Sequence, residues 1–171
     1  MATEDDIARE RNRIPLYTNL GDPAAAFAET SEMVSHFSMH EFENDDGLVM
    51  VHPSVLRGLE RVRRRLNDST GAPVAVIVAD AVRTQRDLDR LAERYGWTDE
   101  GGRVSRDSRH LAKYGGIAVD IVAVRQDNAG RATERLPQSV VGEACRECFD
   151  WVKDDYPDGH IHADNRFGGG R

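Results

Sequence analysis

The spacing of apolar residues along the chain predicts three helices and three strands. Apolar positions recur at helical intervals in three segments, 53–67, 85–95 and 138–153. Uninterrupted apolar runs rich in β-branched residues indicate buried strands at 74–79 and 117–124, and a shorter strand is expected at about 160–163. Helices interleaved with so few strands are typical of an α+β fold, here a small, mainly antiparallel sheet packed against helices.

Local sequence signals place the ends of these elements and the limits of the domain. Pro53 suits a first helical position, and Thr84 with Asp87 three residues later has the pattern of a capping box. Residues 1–34 show neither the helical nor the strand periodicity of apolar residues, so we expect an N-terminal arm or peripheral segment before a domain at 35–166. A glycine-rich tail, 167–171, follows the domain.

The charge balance argues against nucleic-acid and membrane partners. The chain carries 30 acidic and 23 basic residues, a formal net charge of −7, whereas nucleic-acid binders concentrate positive charge. No apolar run approaches the ~20 residues that a membrane span needs. The acidic, polar segment Met1 to Asn12 lacks the pattern of a signal peptide or membrane anchor, so we expect synthesis in the cytoplasm.

The two cysteines predict neither a disulfide scaffold nor a zinc site of their own. Cys145 and Cys148 lie three residues apart, and the sequence has no second pair. With Val141, Phe149 and Val152 they continue the apolar stripe of the third predicted helix. We therefore expect two buried thiols that act as small hydrophobic side chains.

Asp120 is the residue that most needs a chemical reason. It stands inside the apolar run Ile117 to Val122, where a buried carboxylate is costly unless it is paired or binds a cation. His160 and His162 alternate along the last predicted strand, so both side chains point to one face. A His/Asp/His set with one open position is a catalytic zinc arrangement. Histidines that pack or cap are the alternative interpretation.

Four short motifs occur in a fixed order along the chain. They are Phe37-Ser38-Met39-His40-Glu41-Phe42, Arg83-Thr84 after a strand, Ser108-Arg109-His110 with Gly116-Ile117-Ala118-Val119-Asp120, and Ile161-His162-Ala163-Asp164. Together they resemble the zinc D-Ala-D-Ala carboxypeptidase family and its phage endolysin relatives. The third is similar to the family's Ser-x-His-x-x-Gly-x-Ala-x-Asp motif, and the fourth to its closing His-x-Asp. The resemblance covers about residues 36–166.

This resemblance implies a fold, a metal centre and a substrate. The fold would be the DD-peptidase fold shared with hedgehog-type domains. His110, Asp120 and His162 would bind Zn²⁺ with a water in the fourth position. Zinc would lower the pKa of that water to about 7 and polarise the scissile carbonyl. Arg83 and Ser108 would contact the substrate, with Arg83 receiving the carboxylate end of a peptide.

The chain departs from the family pattern at three places. Extra residues, around Ala112 to Tyr114, lengthen the segment between the first two metal ligands. The family's Ser-Gly-Tyr-Arg is here Asp80-Ala81-Val82-Arg83, which sets a carboxylate beside the arginine. The family's glutamate shortly before the last metal histidine is missing, so Asp158 and His160 are the candidate catalytic residues for general-base work.

These observations lead to two functional hypotheses. The first is a zinc peptidase that cleaves the peptide stems of bacterial cell wall, as a D-Ala-D-Ala carboxypeptidase or a phage-encoded endolysin. The second is a weakly active or non-catalytic protein of a phage or virus virion, a tail or capsid component, that keeps the same scaffold. Residues 1–34 would then contact a virion partner or a second copy of the chain. An unrelated α+β domain is the third alternative.

Overall fold

The structure, a computed structural model, describes residues 17–18 and 36–168 as an α+β arrangement. Its α-helices are α1 (Pro53–Thr70), α2 (Gln85–Tyr95) and α3 (Gln138–Arg146). Its strands are β1 (Tyr17–Thr18), β2 (Met50–Val51), β3 (Val74–Asp80), β4 (Ala118–Gln126), β5 (Ala132–Arg135), β6 (Trp151–Lys153) and β7 (Ile161–Asp164). Short 3-10 helices lie at Met39–Phe42, Thr98–Glu100 and Ala112–Tyr114. The coarse fold class predicted from the apolar pattern is confirmed.

Strand β4 is the centre of a five-stranded antiparallel sheet. It pairs with β3 along one edge, while β7 and β5 pair with successive parts of its other edge, and β6 lies beyond β7. Asp120 of β4 is in register with both Asp80 and His162. Because directly opposed residues of antiparallel strands point to the same face, this register collects three polar side chains on one face of the sheet.

The opposite face of the sheet carries the main hydrophobic core. Val119 and Ile121, which flank Asp120 on β4, are fully buried in a cluster with the apolar face of α1 and with residues of α3. Side chains alternate across a strand, so burial of these neighbours turns Asp120 away from the helices. The core therefore fixes the face on which the polar site lies.

Residues 81–117, between β3 and β4, form an excursion that covers part of the polar face. Helix α2 begins at the predicted capping box, in which the Thr84 hydroxyl accepts a hydrogen bond from the Asp87 backbone N–H (3.2 Å). Leu88, Ala92, Val104 and Leu111 give the excursion its own buried apolar cluster. This cluster makes the excursion a wall beside the sheet.

The prediction of one helix over 138–153 is wrong. Helix α3 ends at Arg146, Cys148 and Phe149 lie in the turn that follows, and Trp151–Lys153 form β6. The backbone N–H groups of Cys148 and Phe149 both donate to the Cys145 carbonyl, at 2.9 Å, which closes the last turn. The apolar spacing continues past the helix because these residues enter the same core after the backbone has turned.

Both cysteines are free and buried, as the sequence predicts, and burial raises the pKa of each thiol. Of the predicted arm 1–34, the structure describes Tyr17–Thr18, which pair with β2; the remainder of the arm and residues 169–171 of the tail lie outside the described residues. Within the described ranges, none of the helices combines the length and apolarity of a membrane-spanning segment.

Candidate metal centre

His110, Asp120 and His162 meet at one point on the polar face of the sheet, as predicted. His110 Nε2, His162 Nδ1 and Asp120 Oδ1 are each 2.9 Å from the other two. All three residues are buried: His110 is 2% exposed, Asp120 6% and His162 7%. This group could hold a metal ion.

The positions of the protons on the two imidazole rings support a metal site at this point. His110 Nδ1–H donates to the Ala81 carbonyl in a short hydrogen bond, and His162 Nε2–H donates to Asp164 Oδ2 at 3.0 Å. Each ring therefore turns its unprotonated nitrogen towards Asp120 Oδ1. Three electron pairs that face one another at 2.9 Å require a cation or extra protons between them. Outer partners of this kind commonly orient metal-binding histidines.

The spacing of the donor atoms is close to what a small cation needs. A tetrahedral zinc ion bound at about 2.0–2.1 Å holds its donors about 3.3 Å apart. The observed triangle, with edges of 2.9 Å, would widen by about 0.4 Å per edge to admit such an ion. Rotations of the side chains can supply a change of that size, so the residues fit the group.

The elements explain why these side chains converge. Asp120 and His162 are paired residues of β4 and β7. His110 belongs to the excursion, where the Arg83 backbone N–H donates to the His110 carbonyl (2.7 Å) and the Ala112 N–H donates to the Arg83 carbonyl (2.8 Å). The extra residues predicted to lengthen this segment form the 3-10 helix Ala112–Tyr114. That turn takes up the added length while His110 still reaches Asp120.

Gly116 lets the excursion return to the sheet. Its φ is +70°, and a Cβ there would lie 2.8 Å from the Met50 carbonyl oxygen and from Val51 Cα. Any side chain would therefore push the chain away from β2. The backbone N–H of His52 donates to the Gly116 carbonyl at 2.9 Å in the same contact.

The electrostatic balance keeps the carboxylate of Asp120 ionised. Burial raises its pKa, but hydrogen bonds and positive charge from His110 and His162, when these rings carry the extra protons, outweigh that effect and bring the pKa well below its usual value. Burial lowers the pKa of His162, but the opposite effect of Asp120 and Asp164 is larger, so the net shift of the pKa is upward. A metal ion at this position therefore competes with protons at His162.

Arg83 reaches the site but is already paired. Its Nε and Nη2 donate to Asp80 Oδ2 at 2.8 Å and 2.5 Å, and Nη2 also donates to Asp120 Oδ2 at 3.2 Å. Asp120 consequently turns one oxygen to the histidines and the other to the guanidinium. Asp80, the carboxylate that the sequence places beside Arg83, accepts hydrogen bonds from its guanidinium. Contact between Arg83 and a substrate stays a prediction.

An open groove of about 650 Å³ lies beside the candidate metal centre, because Asp120 lines it. His160 and Val122 of β4 also contribute to its lining. One wall comes from the excursion, through residues such as Tyr95 and Arg103. The other comes from Arg135 and the turn 156–160. The groove could therefore hold an extended chain beside the metal ligands.

The predicted catalytic residues Asp158 and His160 form a hydrogen-bonded pair in that turn. His160 Nδ1 lies 2.6 Å from Asp158 Oδ1, and His160 Nε2 lies 3.8 Å from Asp120 Oδ2. The His160 ring stacks on Tyr156 at 3.9 Å between centroids and an angle of 22°. With Asp158 accepting from Nδ1–H, the other ring nitrogen is free to accept a proton at the edge of the metal centre.

Side chains from neighbouring elements hold the turn in place. Gln138 Nε2 donates to the carbonyls of Tyr156 (3.1 Å) and His160 (2.9 Å). Arg135 Nη2 donates to the Asp158 carbonyl at 2.9 Å. Sequence reasoning missed Gln138, Arg135 and Tyr156, because none of them belongs to a motif.

Two further residues support the ligands. Ser108, predicted to bind substrate, lies in the turn before His110, where its hydroxyl accepts from the His110 backbone N–H at 3.4 Å; its contact with substrate stays a prediction. Asp164 fixes the His162 ring, and the spacing of two residues along a strand is the signal that could have shown this.

Comparison of the chain with family models, with curated proteins and with solved structures finds no match. The chemistry of the site is therefore interpreted from its own geometry.

Proposed function

We propose that the protein is a zinc peptidase of the D-Ala-D-Ala carboxypeptidase or endolysin type, which hydrolyses stem peptides of peptidoglycan. The observation that carries the proposal is the convergence of His110, Asp120 and His162 beside an open groove that Asp120 lines. The motif order along the sequence supports it, because the same three residues are the ones that the family resemblance names. We also propose that residues 36–166 adopt that family's DD-peptidase fold.

The donor set favours zinc over the other common cations. Two imidazole nitrogens and one carboxylate oxygen match the three protein ligands of catalytic zinc sites. Magnesium and calcium prefer oxygen ligands throughout. When bound, zinc supplies a Lewis acid that polarises the peptide carbonyl and acidifies a water.

The remaining steps belong to the side chains of the groove. His160, with Asp158 holding its Nδ1 proton, accepts a proton from the attacking water at Nε2. The water oxygen bonds to the carbonyl carbon, the C–N bond breaks, and His160 returns the proton to the leaving amine nitrogen. The guanidinium groups of Arg103 and Arg135 line the groove and can donate to carbonyl or carboxylate oxygens of the substrate.

A non-catalytic or weakly active virion protein with the same scaffold is the second candidate. The pairing of Arg83 with Asp80 and Asp120 favours it. The guanidinium that would receive a substrate carboxylate is engaged within the protein, so a substrate has to displace Asp80 to bind it.

The two candidates separate in one experiment. Purified peptidoglycan is incubated with the zinc-treated protein, with His162→Ala, and with His40→Ala as the control, because the His40 side chain is 86% exposed and pairs with Glu43. We expect one zinc per chain and cleavage by the wild type and His40→Ala only. Bound zinc without cleavage supports the scaffold protein, and a wild type that binds no zinc rejects the zinc-peptidase proposal.

A further inference from the structure

We infer that Arg166 is a positioning residue of the metal centre, which acts on His162 through Asp164. The inference rests on the metal site of the proposed function and adds a residue that the family resemblance does not name. Arg166 follows β7, and within the described part of the chain its side chain donates hydrogen bonds to Asp164 and to neither Asp120 nor the donor nitrogen of His162. Its effect on the site is therefore indirect.

Asp164 is the link between Arg166 and the ligand. Its side chain is fully buried, and its Oδ2 accepts from His162 Nε2–H at 3.0 Å and from Arg166 Nη2 at 2.6 Å. Its Oδ1 accepts from Arg166 Nε at 2.8 Å and from the Arg166 backbone N–H at 3.1 Å. The guanidinium thus grips the carboxylate with a two-bond fork, a geometry that fixes orientation as well as charge.

The fork matters because it holds the Asp164 carboxylate in the orientation that accepts from His162 Nε2–H. Without the two bonds from Arg166, the buried carboxylate can rotate towards another donor. That rotation removes the acceptor that holds the proton on His162 Nε2. The His162 ring is then free to place that proton on Nδ1, the nitrogen that faces Asp120, and a protonated nitrogen cannot bind a metal.

Trp151 gives Arg166 its second contact. The guanidinium carbon lies 4.1 Å from the centroid of the Trp151 ring, within the range of a cation–π interaction. The same ring meets the edge of His162, with centroids 5.4 Å apart and an angle of 70°. Trp151 is opposite Asp164 in the β6–β7 register. Arg166 is thus held on two sides by groups that also touch the ligand or its partner.

The competing interpretation is an ordinary ion pair that only stabilises the fold. Arg166 has a side chain 24% exposed, and such pairs contribute little to function elsewhere on a protein surface. The matched control is Arg146, whose Nη2 donates to Asp154 Oδ2 at a distance of 2.6 Å. This ion pair does not include any of the three metal ligands. A purely structural role predicts that Arg146→Ala and Arg166→Ala behave alike towards metal.

The test measures metal binding directly. Zinc affinity is determined by competition with a chromophoric chelator for the full-length wild type, Arg166→Ala, Arg166→Lys and Arg146→Ala. The visible spectrum of each Co²⁺-loaded protein reports the ligand geometry. We expect zinc binding to weaken about 10- to 100-fold in Arg166→Ala, with a changed Co²⁺ spectrum, and Arg166→Lys to recover part of the loss because it keeps the charge but not the fork. Arg146→Ala should match the wild type.

Each outcome decides the inference. Equal zinc affinity and equal Co²⁺ spectra for Arg166→Ala and the wild type overturn it while leaving the metal site intact. A loss of affinity in Arg146→Ala as large as in Arg166→Ala also overturns it, because the effect is then one of general charge. If Arg166→Ala fails to fold, Arg166→Lys decides, since unchanged binding there removes the need for the fork. A wild type that binds neither metal overturns both the inference and the proposed metal site.

Discussion

Phe149 packs against Gly58, and this contact predicts that the effect of Gly58→Ala on stability depends on which side chain stands at position 149. A Cβ added at Gly58, in the middle of α1, would lie 2.7 Å from Phe149 Cζ and 3.0 Å from each of its Cε atoms. Phe149 is 1% exposed, in the turn that follows α3. Ordinary carbon contacts are about 3.5–4.0 Å, so the ring would have to retreat by about 1 Å within a closed core.

The expected free energies follow from these contacts. Overpacking of a core typically costs about 1–3 kcal/mol, while replacing a helical glycine with alanine returns about 1 kcal/mol. We therefore expect Gly58→Ala to lower the free energy of unfolding by up to about 2 kcal/mol. With Phe149→Leu already present the clash is relieved, so the same substitution should become neutral or stabilising.

A double-mutant cycle in urea measures this difference. The wild type, both single variants and the double variant are unfolded by urea, followed by circular dichroism and tryptophan fluorescence. A coupling energy of about 1–3 kcal/mol between the two sites is expected. Arg64→Ala, at an exposed position of the same helix, is the control and should change stability by less than about 0.5 kcal/mol.

The result that refutes the reasoning is additivity. If Gly58→Ala is equally destabilising with Phe149 and with leucine at that position, the ring does not lie against α1. The turn after α3 would then follow a different path from the one described.

Three further predictions concern the groove and the metal centre. Asp80→Ser should free Arg83 from the nearer of its two carboxylate partners and lower KM for peptides with a free terminal carboxylate by about tenfold; an unchanged KM would show that Arg83 does not bind that group. Tyr156→Phe should preserve the stacking on His160 and retain most hydrolysis, whereas Tyr156→Leu should lower kcat; equal kcat values would exclude a role for stacking. Zinc affinity should fall as pH decreases, because the protonated His162 ring cannot bind metal. Asp120 and Asp164 raise the pKa of His162 by more than burial lowers it, so the ring takes up its proton more readily than a free imidazole. Competition titrations between pH 8 and pH 5.5 measure that loss, and a flat profile would contradict it.

The parts of the fold that sequence could predict are those set by local pattern. The apolar run 74–79 and the Thr84 capping box give β3 and α2 almost at their observed limits. Asp120 stands out because a carboxylate inside an apolar strand needs a partner, and the structure brings His110 and His162 to it. Local chemistry was sufficient for these features.

The remainder depends on contacts that no local pattern encodes. Phe149 continues a helical spacing although the backbone has already turned, because burial alone produces the same apolar pattern. The three residues of β6 are too few to show a period. Arg135 enters the site from β5, and Tyr156 lies shortly before the last motif but outside its pattern. Their positions could be known only from the folded chain.

The excursion between β3 and β4 has a consequence for how such a protein can change its specificity. The chain leaves the sheet near Asp80 and returns near Asp120, and these two residues are paired neighbours in the sheet. Residues 81–117 therefore form a cassette whose two ends lie side by side, so its replacement need not disturb the strands. Because the cassette carries both His110 and the groove wall around Tyr95, the proposed function implies that exchanging it would alter metal binding and substrate choice in one step. Selection for a new substrate would then have to preserve a histidine at the end of whichever segment replaced it.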